Sequence, residues 1–129
     1  MAEIYAENGY DCWLRYKKVE DSDLLNEYRE WCTYIVAEKI TPLVKSSLEE
    51  INVAITNMIG VKPSIGKPTI RHGFIFLGIL NKSPLVDDVL TDEEKHAINE
   101  EGFILKTVKR DNYNYILVGG KSDKGILYG

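Results

Sequence analysis

With 129 residues, of which 44% are hydrophobic and 28% charged, the sequence has the make-up of one soluble globular domain and is too short for two. A formal charge of -4, with no basic cluster longer than Lys17-Lys18 or Lys109-Arg110, excludes a broad phosphate-binding surface, so no nucleic acid is expected as a partner. No apolar run approaches the roughly 20 residues that cross a bilayer. The opening MAEIYAENGYD lacks the basic start and apolar centre of an export signal, which predicts a cytoplasmic chain without a membrane partner.

Asn8-Gly9 signals a turn, with a frayed start before it, and residues 12–16, CWLRY, read as a first strand. Asp21 or Ser22 is placed to cap a short helix whose Leu24, Tyr28 and Trp31 fall on one face. Residues 33–37, TYIVA, are β-branched and apolar enough for a second, buried strand. Cys12 and Cys32 each stand beside a tryptophan and are read as reduced core residues, not a disulfide.

The clearest element is a helix from Pro42 to about Ile59. Thr41 is its N-cap, Pro42 takes the first position, where its missing N–H is harmless, and Gly60 closes it. Val44, Leu48, Ile51, Ile55 and Met58 recur as one apolar stripe, while Lys45 and Glu49 can pair across one turn of the polar side. Pro63, Gly66 and Pro68 make residues 61–69 a loop. Residues 74–80, FIFLGIL, are apolar on both faces, as a central strand covered on each side requires. The chain then turns at 81–84 and forms a short helical segment at 85–90. Thr91 with Glu94 makes a capping box for a polar helix ending near Gly102.

The final stretch carries two strands, residues 103–108 and 115–118, around a polar turn at 110–114. A Gly119-Gly120 break follows, and Ser122 or Asp123 caps one more helix. Ile126, Leu127 and Tyr128 open that helix with no further turns to complete a buried face, which predicts a piece of a longer protein. Together these elements predict an α+β fold, a mixed sheet of about five strands with the long helix packed on it. The strand-helix-strand crossover makes part of the sheet parallel.

Each candidate for chemistry meets a plainer explanation. Gly119-Gly120-Lys121-Ser122 has the look of a phosphate loop, but Tyr115 stands where the first glycine belongs, and a turn into a capped helix accounts for the same residues. Glu93 and His96 have the spacing of half a carboxylate metal site; the other half is missing, His72 is remote, and a solvated helix face suffices. The acidic pairs Asp87-Asp88 and Glu100-Glu101 and the run at 92–94 read as surface charge, since nothing places two of them across a cleft. Asn81-Lys82-Ser83 fits the glycosylation pattern, but Pro84 follows it. Eight tyrosines with Trp13 and Trp31 could stack on sugars, yet most have core positions.

Two end motifs carry a family resemblance. Residues 9–16, GYDCWLRY, and 120–129, GKSDKGILYG, resemble the opening and domain-closing segments of the α-glucuronidases of glycoside hydrolase family 67. The helix ending in Met58-Ile59-Gly60, the run FIFLGIL and Glu101-Gly102-Phe103-Ile104 fall between them in the family's order. The resemblance implies that residues 1–129 are a single N-terminal accessory domain, similar to the second domain of β-hexosaminidases, which is zincin-like without the metal. It implies that a (β/α)8 barrel of the same parent chain, absent here, is the domain's partner. That barrel hydrolyses α-1,2-linked (4-O-methyl)glucuronic acid from xylo-oligosaccharides with inversion and without a metal. Its acid and base lie outside these residues, so the expectation is no catalytic, cofactor-binding or metal residue here and no activity of the piece alone. The alternative is a carbohydrate-binding module for xylan or uronate-bearing oligosaccharides, with weak carbohydrate contact through tyrosine and tryptophan. Residues 5–8 and 110–114 match nothing assignable in the family.

Overall fold

A computed structural model describes residues 16–66, 73–111 and 113–129. The order of elements is α1 (Ser22–Cys32), β1 (Tyr34–Ala37), α2 (Pro42–Ile59), β2 (Ser64–Gly66), β3 (Phe74–Ile79), α3 (Pro84–Asp87), α4 (Asp92–Ala97), β4 (Phe103–Lys109), β5 (Asn114–Gly120) and α5 (Asp123–Tyr128). One five-stranded sheet has the order β2-β1-β3-β5-β4. Its first four members run parallel, and β4 closes the far edge antiparallel to β5. The expected α+β fold with a mixed sheet is the observed one. The first strand expected at 12–16 lies outside the described residues except for Tyr16, which belongs to no strand.

Alternation along the parallel strands divides the core in two. On the front face Ile35, Ala37, Ile75, Leu77 and Val118 meet Val44, Leu48, Ile55 and Ile59 of α2 and Ile126 of α5. On the back face Val36, Phe74, Phe76, Tyr115 and Leu117 meet Val86, Leu90 and Ile98. The central strand β3 is therefore covered on both sides, which is why its sequence shows no polar alternation. Helix α2 has the bounds and caps its sequence predicts: Thr41 accepts from Val44 N–H, and Gly60 ends it at φ 70°.

Four elements depart from expectation. Residues 64–66 form an edge strand on β1 where a loop was expected; Pro63 precedes the strand, so its missing N–H interrupts no ladder bond. Helix α1 turns Leu24 and Tyr28 outward, and its Leu25 and Cys32 pack on the front core instead. Arg29 explains that rotation, because its Nε and Nη2 donate to the Ile59 carbonyl at 3.2 and 3.1 Å and satisfy the end of α2. Helix α4 has the full capping box but stops at Ala97, since Ile98 turns extended to fill the back core. Gly119 and Gly120 are strand residues, not a break: they pair with Gly78 and Ile79 on one side and with Ile104 and Phe103 on the other.

The last helix also differs from its expected marginal state. A Cβ on Gly120 would lie 3.1 Å from Gly125 C and Ile126 N, so the glycine lets α5 rest directly on the sheet. Ile126 is thereby buried in the front core, and tertiary packing stabilises a helix too short to persist alone.

On the back face Lys106 Nζ reaches Glu94 Oε2 at 2.8 Å and the Val89 carbonyl at 3.0 Å, tying β4 to the start of α4. The Lys106 ammonium and, next, the Thr91 backbone N–H hold the Glu94 carboxyl below its ordinary value. A lowered folded-state value means the stabilisation is present above the unfolded value and disappears as pH falls through the folded one. Glu94→Gln is therefore expected to lower the urea midpoint near neutral pH. Its gap to the parent chain should close on the acid side of the carboxylate range.

Candidate functional site

The neighbouring parallel strands β1 and β3 send the chain away in opposite directions. After β1 it crosses the front face as α2 toward the edge strand β2; after β3 it runs behind the sheet through α3 and α4 toward β4 and β5. Such a reversal opens a crevice outside the carboxyl ends of the two strands, where open α/β sheets hold their ligands.

A cavity of about 330 Å³ occupies this position. Val44, Leu77 and Ile126 form its apolar wall, and Glu38, Lys39, Thr41, Lys82 and Asp123 bring polar atoms to it. Each carboxylate is fixed by a hydroxyl from a distant part of the chain. Ser83 Oγ donates to Glu38 Oε1 at 3.0 Å, and Thr41 Oγ1 donates to Asp123 Oδ2 at 2.6 Å. Ser83 is itself buried, while Glu38 reaches it from the exposed side, so the first of these bonds is part-buried. Glu38 and Asp123 keep acceptor capacity on the oxygens not engaged here. The side-chain ammonium groups of Lys39 and Lys82 form no ion pair or hydrogen bond among the described residues.

The sequence did not reveal this cleft because its residues come from three separated segments. Glu38 and Lys39 fall between the second strand and the long helix and match no motif, and Lys82 and Ser83 read as part of a glycosylation pattern. The signal that could have found it is the reversal of chain direction, which depends on β2, the strand missed in a loop rich in proline and glycine.

The residues weighed from sequence are scattered. Ser122 caps α5 and donates to the Glu100 carbonyl, so the Gly-Gly-Lys-Ser stretch is a strand end leading to a cap. Glu93 and His96 lie on α4, with His96 Nδ1 2.6 Å from the Asp92 carbonyl. No three histidine, cysteine or acidic side chains cluster as metal ligands among the described residues. Asp87 Oδ1 accepts from Asn81 N–H at 2.8 Å and holds the turn after β3, where Asn81 has φ 65°. Cys32 is a free thiol whose pKa burial pushes up. Cys12, Trp13 and His72 lie outside the described residues.

The aromatic side chains concentrate in the back core. Phe74 stacks on Tyr115 at 4.9 Å between ring centres, Tyr113 stacks on Tyr115 at 5.9 Å, and Phe76 meets Tyr115 edge-on at 6.3 Å. Burial drives the Tyr115 hydroxyl up to about 12, and it donates to the Leu85 carbonyl at 3.0 Å. A different apolar surface faces outward. Phe103 and Leu105 of β4 are 44% and 58% exposed, and Tyr128 of α5 is 57% exposed. Phe103 and Tyr128 border one open hollow with Asn99, Glu100 and Glu101. No helix among the described residues is long and apolar enough to cross a membrane.

A comparison with curated proteins finds no match. A family model described as Glycosyl hydrolase family 67 N-terminus matches residues 12–129.

Proposed function

Because the chain belongs to the glycosyl hydrolase family 67 N-terminus family, we propose that it is the non-catalytic N-terminal domain of an α-glucuronidase. In this reading residues 1–129 form one accessory unit. The parent's (β/α)8 barrel carries the acid and the base, and hydrolyses α-1,2-linked (4-O-methyl)glucuronic acid from xylo-oligosaccharides with inversion. The observation that carries the proposal beyond the family is the outward apolar surface of Phe103, Leu105 and Tyr128. Large apolar side chains grouped on an edge strand and the helix beside it suit a seat for a larger body. The docked body is the catalytic barrel of the same parent chain.

A pure sample of the 129-residue chain is expected to release no glucuronic acid from aldouronic xylo-oligosaccharides that the full-length parent cleaves. Turnover by the short chain overturns the proposal. The second reading, a carbohydrate-binding module, draws on the hollow bordered by Phe103 and Tyr128 with Asn99 and Glu101, an aromatic and polar lining of the kind that holds sugars. Calorimetric titration with glucuronoxylan fragments separates the two, because a scaffold gives no saturable heat.

A further inference from the structure

We propose that the crevice outside the carboxyl ends of β1 and β3 binds a small polyhydroxylated anion about the size of one sugar ring. The proposal goes beyond the family reading and does not depend on what a parent enzyme cleaves.

Position is the first argument. The crevice stands where the adjacent parallel strands β1 and β3 send the chain to opposite sides of the sheet, and Asp123 and Ile126 from the segment after β5 border it as well. The backbone there parts without side chains having to be removed. Chemistry is the second. The Glu38 and Asp123 carboxylates already accept hydroxyl hydrogen bonds, from Ser83 and Thr41, and each retains lone pairs for another hydroxyl. Lys39 and Lys82 border the same cavity and are in no ion pair among the described residues, so their ammonium groups are available to one anionic group. Hydroxyl acceptors beside anion donors select a ligand that carries both functions; a simple hydrocarbon or a bare inorganic cation uses only part of the set.

Size and rigidity are the third argument. About 330 Å³ is at the lower end of small-molecule sites, enough for one ring and too little for a chain of them. Val44, Leu77 and Ile126 offer an apolar wall to the C–H face of such a ring. Glu38 is held by Ser83 and Asp123 by Thr41 before any ligand arrives, which limits the ordering cost of binding.

The anionic group is a carboxylate or a phosphate, and probes on one common ring separate them. The 129-residue chain, labelled with 15N, is titrated with D-glucuronate, glucose 6-phosphate and D-glucose. Saturable shifts at the amides of Thr41, Gly78 and Lys82 are expected with at least one of the two anions, at a Kd on the order of 1 mM. Glucose is expected to bind about 10-fold more weakly. The double variant Lys39→Ala/Lys82→Ala removes only exposed side chains, so its spectrum elsewhere should be unchanged while the anion's affinity falls about 10-fold. Saturation by glucuronate alone assigns a carboxylate, by glucose 6-phosphate alone a phosphate, and by both a site that takes either; each supports the proposal. No saturable shift at these amides with either anion, equal affinity for glucose, or unchanged affinity in the double variant overturns it.

Discussion

Truncating Phe76 to alanine is expected to remove about 4 kcal/mol of stability, read as a lower urea midpoint with an unchanged slope. The ring is fully buried in the middle of β3, and strands β1 and β5 bond to the backbone on either side of it. It meets Tyr115 edge-on at 6.3 Å and fills the space that Gly78 leaves: a Cβ there would come within 2.6 Å of the ring. Because the backbone on both sides is fixed by the ladder, the hole cannot collapse, and the cavity cost adds to the lost transfer energy. A change below about 1 kcal/mol would mean that the back core is not packed around this ring.

The second large effect is expected at Gly125→Val, about 3 kcal/mol from overpacking. A Cβ at Gly125 would stand 2.4 Å from the Gly102 carbonyl oxygen and 3.4 Å from Gly120 Cα, both backbone atoms with no rotamer to yield. Relief requires lifting α5 off the sheet. That withdraws Ile126 from the front core and strains the Thr41–Asp123 bond, so the crevice should lose its shape along with its stability. Thermal melting reports the first effect and the Thr41 amide shift the second. Normal melting and an unmoved amide would contradict the seating of α5 described above.

What could be read in advance was whatever lies in one contiguous segment. Helix α2 carries its stripe within eighteen residues and its start and stop at Thr41 and Gly60 on either side, and the structure keeps all three. The run of β3 declared a strand covered on both faces for the same reason. The misses involve partners remote in sequence. Arg29 rotates α1 by bonding the far end of α2, Ile98 leaves α4 because the back core needs it, and β2 forms only because β1 offers an edge. Gly119 and Gly120 looked like a chain break because glycine is the usual mark of a turn. Gly120 serves instead to admit a helix that starts three residues later. The crevice was hidden more thoroughly, since Glu38, Lys82 and Asp123 acquire meaning only when the strand order is known.

The placement of β3 between an early strand and a late one bears on how the protein is made. While a ribosome is still adding the residues up to Gly120, one flank of this six-residue apolar strand has no neighbour. At ordinary elongation rates that interval lasts about 2 to 8 seconds, long enough for exposed edges of two nascent chains to meet. Rapid overexpression should therefore drive this protein into inclusion bodies, and slower synthesis in the cold or a holding chaperone should rescue it, without any change to the finished molecule.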